Sequence, residues 1–153
     1  MSRPSRDQYF LRIAEVVATR STCQRRQVGC VLVDKHGHVL ATGYNGVPSG
    51  MPHCRDNGDT TCPGRGAKSG TNLDKCQAIH AEQNALIQLA DANQVDTVYC
   101  TVTPCMHCIK MLMNTSAKRL VYINRYPHPT VQAMWEDSGR EWVCGKWEDS
   151  NAQ

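Results

Sequence analysis

Short β-branched runs alternate with helical stretches along this chain of 153 residues, and their order restricts the architecture more than any other property of the sequence. Residues 28–33 and 39–42 are two such runs, separated by a turn segment that contains Gly37. This pattern predicts an antiparallel hairpin. Beyond residue 79, helices and strands alternate, and strands that are linked through helices normally pair in parallel. The sequence therefore predicts an α/β protein with a mixed five-stranded sheet, in which an antiparallel hairpin of the first two strands is followed by parallel βα crossovers.

The predicted boundaries follow from apolar periodicity and from capping residues. In residues 5–20, apolar side chains recur at helical spacing, and Ser5 can cap the helix. The other predicted elements are strands over 28–33 and 39–42, a helix over 79–89, a strand over 95–102, a helix over 105–114, a strand over 119–123, a helix over 130–138 and a strand over 141–144. We expect the tail from Glu148 to be frayed.

Helical and strand periodicity both vanish between the hairpin and the second predicted helix. Residues 43–75 contain seven Gly, three Pro and two Cys. A loop of this length inside a compact domain is expected to be functional, disordered or cross-linked. We therefore expect a single domain over residues 1–153 that carries a cysteine-rich insert at about 47–78.

The nine cysteines are the part of the composition that the fold class leaves unexplained. The N-terminal residues lack the apolar core of a secretory signal, and no run of about 18 apolar residues is present, so we expect a cytoplasmic protein without a membrane partner. The cytosol disfavours disulfides, and an odd number of thiols cannot all pair. Metal binding or catalysis is then the leading explanation. A formal charge of +3, with scattered basic residues, argues against a nucleic-acid partner.

Two short motifs lie where a loop or strand meets a predicted helix: His80-Ala-Glu82 and Pro104-Cys105-Met-His-Cys108. Helix N-termini carry positive potential, which favours thiolates. His80, Cys105 and Cys108 would give Zn²⁺ three ligands and leave the fourth position open for water, as in catalytic sites. Glu82 is the candidate base for that water. Because residues two apart do not share a helix face, His80 and Glu82 can converge only at an irregular first turn.

These positions match H-x-E followed by P-C-x-x-C, the signature of the zinc deaminases. The chain resembles the cytidine deaminase superfamily from the hairpin to the last strand, and within it is most similar to the deoxycytidylate (dCMP) deaminase family. The narrower resemblance rests on the segment Gly-Tyr-Asn-Gly-Val-Pro-Ser-Gly at 43–50, on the cysteine-bearing insert, and on Tyr126, eighteen residues after Cys108. It implies a three-layer α/β/α fold and hydrolysis of dCMP to dUMP and ammonia, which supplies dUMP for dTMP synthesis.

The resemblance also implies how the substrate is held. Tyr126 would stack on the cytosine ring, and Asn45 would contact the sugar. Arg25 and Arg26 either hold the nucleotide phosphate, which guanidinium groups bind well, or form a solvated surface turn.

Regulation is a further implication of the resemblance. A separate nucleotide site containing Gly43, Tyr44, Gly46 and Gly50 would bind dCTP as an activator and dTTP as an inhibitor, with Mg²⁺ accompanying the triphosphate. The family is typically a homohexamer, so the same assembly is expected here.

The cysteines of the insert allow two interpretations. They are ordinary free thiols, or they form a second, closed zinc site that stabilises a loop without a core. The resemblance supports the second interpretation, because some phage and bacterial members carry a structural zinc in this insert with ligands that match Cys23 and Cys54. Cys62 and Cys76 would complete the tetrahedron, with His53 as the rival for one place. The remaining thiols are expected to be small, buried apolar side chains on strands: Cys30, Cys100 and Cys144.

Two other functions compete with this interpretation. A tRNA adenosine deaminase shares both motifs, but such enzymes generally lack the cysteine-rich insert, and this chain has no basic stripe. A non-catalytic zinc-stapled binding module would not need an acidic residue two positions from a ligand. Substitution of Glu82 therefore separates a binding module from an enzyme.

Overall fold

Five strands form one mixed sheet in the structure, a computed structural model that describes residues 2–54, 62 and 76–146. They are β1 (Gly29–Val33), β2 (Val39–Tyr44), β3 (Thr97–Val102), β4 (Arg119–Asn124) and β5 (Glu141–Cys144). Their order across the sheet is β2-β1-β3-β4-β5, with β1 antiparallel to both β2 and β3. The pairs β3-β4 and β4-β5 are parallel. The predicted hairpin edge and parallel half of the sheet are confirmed.

Helices cover both faces of this sheet. The described α-helices are α1 (Arg6–Ala18), α2 (Ala81–Leu86), α3 (Met106–Met113) and α4 (Pro129–Asp137). The core on one face joins α1 to β1, β3 and β4. The core on the other face contains the apolar residues of α2, α3 and α4. Every residue of β1 and β3 is buried, as expected for strands that are covered on both faces. The three-layer α/β/α architecture is confirmed.

Gly43 allows α2 to lie directly on β2. A Cβ atom at this position would collide with the carbonyl oxygen of Ala81 and the amide nitrogen of Ala85. Because no side chain separates the two elements, the first turn of α2 is held against the end of β2. This contact fixes the position from which α2 presents the His80-Ala-Glu82 motif.

Several predicted boundaries differ from the structure. The helix predicted over 79–89 ends at Leu86, and the Leu89 N–H donates instead to the Leu86 carbonyl, so the last residues form tighter turns. The strand predicted from residue 28 begins at Gly29, since the Val28 N–H donates to the Asn45 side chain. The prediction that Cys144 is buried is wrong: this residue is exposed at the last position of β5, which is an edge strand.

Two predicted segments fall largely on parts of the chain that are not described. Within the insert expected at 47–78, residues 55–61 and 63–75 lie outside the described residues, as does the tail from Glu148. The longest of the described helices, α1, has 13 residues, and none of them has both the length and the apolar character that a membrane crossing needs.

Candidate active site

His80 immediately precedes α2 rather than lying within it. Its backbone is extended (φ −71°, ψ 155°), and the Oε1 atom of Gln83 accepts its N–H at 2.8 Å. The side chain of Gln83 thus satisfies the backbone at the helix start, while the imidazole of His80 faces the start of α3. Glu82 lies in the first turn of α2. The irregular helix start required for His80 and Glu82 to converge is therefore present.

Cys105 and Cys108 lie at the N-terminus of α3. Cys105 is the N-cap residue and Cys108 the third residue of the helix, so both thiols lie within the first turn. Their Sγ atoms are 3.4 Å and 3.3 Å from Nδ1 of His80, and the three ligand atoms all lie within 4.8 Å of one another. A tetrahedral zinc site with ordinary Zn–S and Zn–N bonds has N···S edges of roughly 3.6 Å. The donor set and its spacing therefore fit Zn²⁺, with one position left for a reactant.

The two thiols share their protons unequally. A hydrogen bond from Cys108 lowers the pKa of Cys105 to about 3, although burial opposes this effect, and His80 adds to it. The hydrogen bond to Cys105, together with burial, raises the pKa of Cys108. The hydrogen bond to Cys105 likewise raises the pKa of His80, against the effect of burial. These interactions favour the thiolate form of Cys105, which is the form that binds a metal ion.

Glu82 is a buried carboxyl group beside these ligands. Only 4% of its surface is exposed. Burial raises its pKa, and its side chain interacts with Cys108, Cys105 and His80. A carboxyl group with a raised pKa holds a proton more readily than an ordinary one, which is typical of general acid–base residues. The geometry therefore places a candidate general acid–base group beside a candidate metal site.

Tyr126 lies two residues beyond β4, on the side of the site formed by Cys105. The guanidinium carbon of Arg26 is 5.9 Å from the centroid of its ring. Burial and the negative charge of Cys105 raise the pKa of Tyr126, while the positive charges of Arg25 and Arg26 lower it. The structure therefore brings together a half-buried aromatic ring, two guanidinium groups and a candidate zinc ligand, while the substrate contacts expected of Tyr126, Arg25 and Arg26 stay predictions.

The amide side chain of Asn45 contacts backbone groups before β1. Its Nδ2 donates to the carbonyl of Arg26 at 2.7 Å, and its Oδ1 accepts the N–H of Val28 at 2.9 Å. Asn45 thus holds the segment that carries Arg25 and Arg26 against the end of β2. Its contact with a sugar remains a prediction.

A cavity of about 480 Å³ lies at the end of β2. Gly43, Tyr44 and Gly46, which were predicted to form a nucleotide site, belong to its lining, and Gly50 does not. Gly50 has a φ of +88°, a conformation that favours glycine. The other lining residues come from the segment before β1, from β2, from the insert, from α2 and from the turn after it: Thr22, Thr42, Val47, Ser49, His53, Asn84 and Gln88.

The structure places the cysteines of the insert near one another. Burial raises the pKa of Cys54, and so do its interactions with Cys62, Cys23 and Cys76. His53, the rival ligand, instead forms a hydrogen bond of 3.2 Å with Thr22 through its Nδ1 atom. Cys23, Cys62 and Cys76 therefore lie in the neighbourhood of Cys54. Among the described residues, however, the only group of three or more possible ligands within 4.8 Å of one another is His80, Cys105 and Cys108. His53 lines the cavity beside β2.

Comparison with known proteins identifies the family. Residues 4–124 match the family model for the cytidine and deoxycytidylate deaminase zinc-binding region. The chain belongs to this family. The zinc-binding deaminase motifs His80-Ala-Glu82 and Pro104-Cys105-Met-His-Cys108 both lie within the matched residues, so the family assignment and the geometry of the site agree.

Named relatives of this deaminase-family chain include cellular and phage proteins. The deoxycytidylate deaminase of Saccharomyces cerevisiae is 38% identical over 128 residues, which cover 82% of this chain and 40% of the yeast protein. The deoxycytidylate deaminase of Mycobacterium phage D29 is 41% identical over 130 residues, which cover 80% of this chain and 97% of the phage protein. The chain thus matches about two fifths of the yeast relative and nearly all of the phage relative.

Solved structures of other proteins superpose on the chain. The dCMP deaminase of cyanophage S-TIM5, crystallised in complex with dCMP and dUMP, has a TM-score of 0.71 and 30% sequence identity over 93% of this chain and 98% of the phage chain. Acinetobacter baumannii RibD has a TM-score of 0.63 at 23% identity over 92% of this chain and 35% of its own, a similarity of fold alone.

Sequence reasoning missed two residues that shape the site. One is Gln83, for which a signal exists, because a Gln three positions after a helix cap is typical of a capping box. Thr103 was also missed; its hydroxyl accepts the N–H of Tyr126 at 2.6 Å. No local pattern marks Thr103, because Tyr126 is 23 residues away in the chain.

Proposed function

We propose that this chain catalyses the zinc-dependent hydrolysis of dCMP to dUMP and ammonia, as a single deaminase domain over residues 1–153. The observation that carries the proposal is the buried carboxyl group of Glu82 beside a three-ligand site. Structural zinc sites are closed by four ligands, whereas three leave a position for chemistry. The names of the yeast and phage relatives, and the dCMP and dUMP in the S-TIM5 complex, support dCMP as the substrate.

The residues of the site divide the chemistry between them. Zinc held by His80, Cys105 and Cys108 would supply the Lewis acidity that makes water a nucleophile near neutral pH. Glu82 accepts a proton from the attacking water as the oxygen bonds to C4 of the pyrimidine. The same carboxyl group then delivers that proton to N3, takes the second proton from the hydroxyl group now on C4 and passes it to the amino group. The C4–N bond breaks, ammonia leaves, and dUMP remains.

The neighbouring side chains have the chemistry to bind a nucleotide monophosphate. The ring of Tyr126 offers a stacking surface for the cytosine, and Arg25 and Arg26 offer guanidinium groups for the phosphate. Asn45 holds the backbone of Arg26 and would lie beside the sugar.

The substrate is tested by an ultraviolet assay of the purified protein against dCMP, deoxycytidine, dCTP and adenosine. We expect rapid turnover of dCMP, with little or none of the other three compounds. Preferential turnover of adenosine would favour a nucleic-acid deaminase. Absence of turnover by a zinc-loaded protein would contradict the enzymatic proposal.

We further propose that Cys23, Cys54, Cys62 and Cys76 bind a second, structural zinc ion. The support is the shared neighbourhood of these thiols around Cys54. Four thiolates form a closed tetrahedral site, which would stabilise an insert that has few apolar residues.

Metal analysis tests the second site. We expect two zinc ions per chain in the wild type and one in a Cys62→Ala variant. A Cys144→Ser variant is the matched control, because Cys144 is an exposed thiol outside this neighbourhood, and it should retain both ions. A single zinc ion in the wild type would contradict the proposal.

Regulation by nucleotides is proposed for the cavity beside β2. Its volume of about 480 Å³ lies in the range of small-molecule sites, and Gly43, Tyr44 and Gly46 belong to its lining. We propose that it binds dCTP with Mg²⁺ as an activator and dTTP as an inhibitor, in a cytoplasmic homohexamer. Rates at subsaturating dCMP should rise with dCTP and fall with dTTP, and sedimentation should give the mass of six chains. Unchanged rates would contradict the proposed regulation, and another mass would contradict the proposed homohexamer.

A further inference from the structure

Thr103 lies where the segment that leads to the zinc ligands of α3 separates from the segment that leads to Tyr126. It follows the last residue of β3 and precedes Pro104 and Cys105. Its backbone N–H donates to the carbonyl of Asn124 at 2.9 Å, which extends the β3-β4 ladder by one bond. Only 5% of its surface is exposed, so its hydroxyl group faces the protein interior.

The hydroxyl of Thr103 replaces a backbone acceptor. If the parallel ladder continued regularly, the N–H of Tyr126 would donate to the carbonyl of Thr103. Instead it donates to Oγ1 of Thr103 at 2.6 Å. The side chain thus preserves the link to Tyr126 while the backbone of Thr103 turns towards Pro104. Beyond this point, the backbone that follows β3 leads to the zinc ligands of α3, and the backbone that follows β4 leads to Tyr126.

We propose that Thr103 is a positioning residue that sets the place of the Tyr126 ring relative to the zinc ligands, and thereby the affinity for the pyrimidine base. The inference rests on the stacking role given to Tyr126 in the proposed function. Arg26 approaches the ring from another segment, which Asn45 holds against β2. Thr103 joins Tyr126 to the strand that leads directly into Cys105.

The kinetic effect of such a residue is specific. A stacking ring contacts the base in the ground state and in the transition state alike, so its displacement weakens both by a similar amount. Removal of the Thr103 hydroxyl should therefore raise KM for dCMP by about tenfold, the size expected for one lost buried hydrogen bond, and leave kcat nearly unchanged. A merely structural role would lower the folded fraction, and with it kcat, without changing KM.

The experiment compares Thr103→Val, which removes the acceptor at nearly constant shape, with Thr103→Ser, which keeps it. Thr97→Val is the matched control, since Thr97 is also buried on β3 but its hydroxyl donates to Asp96, at the other end of the strand. Hydrogen exchange of the Tyr126 amide and kinetics with dCMP are measured for each protein. Should Thr103→Val not fold, Thr103→Ala is measured in its place.

We expect Thr103→Val to speed exchange at Tyr126 and raise KM, Thr103→Ser to behave like the wild type, and Thr97→Val to change neither quantity. In a Tyr126→Ala background, Thr103→Val should change KM by less than about twofold, because residues that act through one another are not additive. An unchanged KM, or an equal KM change in both backgrounds, would overturn the inference. If the wild type does not turn over dCMP, the proposed function fails. Hydrogen exchange at the Tyr126 amide then decides by itself whether Thr103 positions Tyr126. Unchanged exchange in Thr103→Val would overturn the inference.

Discussion

The starts of α1 and α3 occupy opposite faces of the sheet and use the same N-cap position for different purposes. At α1, the hydroxyl of Ser5 accepts the N–H of Gln8, and the Gln8 side chain accepts the N–H of Ser5. At α3, within the described structure, the thiol of Cys105 forms no capping bond and lies 3.4 Å from His80. The first arrangement stabilises its helix, whereas the second gives up that stabilisation to present a metal ligand.

The same contrast extends to the carboxyl groups of the two faces. Asp7, in the first turn of α1, accepts two hydrogen bonds from Arg119 and one from Tyr99. Glu82, in the first turn of α2, is buried beside thiols, and burial raises its pKa. One carboxylate is thus held in its charged form by partners, and the other is held where charge is costly. The ion pair of Asp7 with Arg119 thus lies on one face of the sheet, and the candidate active site around Glu82 lies on the other.

The largest expected effect is that of Cys105→Ser. Loss of one of three ligands should release the zinc of this site and abolish activity, while metal-free protein should be no less stable than metal-free wild type, since Ser is a good N-cap residue. Zinc analysis and urea unfolding in the presence of a chelator measure both. A clear loss of metal-free stability would show that the thiol stabilises the fold by itself and would break the contrast with Ser5.

Glu82→Gln should leave the zinc content and fold intact but lower turnover of dCMP by roughly 10²–10⁴, the usual contribution of a general acid–base residue. Because the substitution removes a buried ionisable group, the melting temperature should stay the same or rise. Steady-state kinetics, metal analysis and thermal unfolding test these points together. Retention of most of the turnover would remove Glu82 from the mechanism.

Asp7→Asn should produce the opposite result, with stability lowered and activity kept within about twofold. The expected loss is about 1–2 kcal/mol, at the lower end for hydrogen bonds to a charged group because Asp7 and Arg119 are each 29% exposed. Urea unfolding and dCMP turnover are the measurements. A large loss of activity at unchanged stability would show that the two faces are coupled.

The pH dependence of stability gives a second test of the contact that Asp7 makes with Arg119 and Tyr99. Burial opposes ionisation of Asp7, but the hydrogen bonds from Arg119 and Tyr99 outweigh it and lower the pKa below the ordinary value of 3.8. A lowered pKa stabilises the folded state above the unfolded pKa, and this contribution disappears as the pH falls through the folded value. The stability difference between wild type and Asp7→Asn should therefore be constant from pH 5 to 7 and narrow below about pH 4. If the stability difference between wild type and Asp7→Asn did not change with pH, packing and not the charge of Asp7 would be its cause.

The smallest effect belongs to Ser5→Ala, which should lower stability by about 1 kcal/mol and leave zinc content and turnover unchanged. Chemical unfolding and the dCMP assay measure it. Unchanged stability would mean that the cap of α1 is dispensable and would weaken the comparison with Cys105.

Sequence patterns predicted most elements because they report local physical preferences. The capping residue Ser5, the β-branched runs and the glycine turn each act within a few residues, so the order of elements and the mixed sheet followed. Cys144 shows the limit, because its place on an edge strand, not its residue type, exposes it. The end of α2 at Leu86 was missed for a similar reason, since apolar spacing does not show where tighter turns replace helical bonds.

The sequence by itself determined which groups could perform chemistry. A histidine and a carboxylate at one helix start, and two thiols at another, each form a motif of a few residues that is visible without the fold. Only the tertiary structure decided that they meet. Gly43 lets α2 rest on β2, and Thr103 links Tyr126 to the strand that leads into Cys105. These contacts join residues that are tens of positions apart, and backbone proximity at that range depends on how the strands pair and how the helices pack on the sheet.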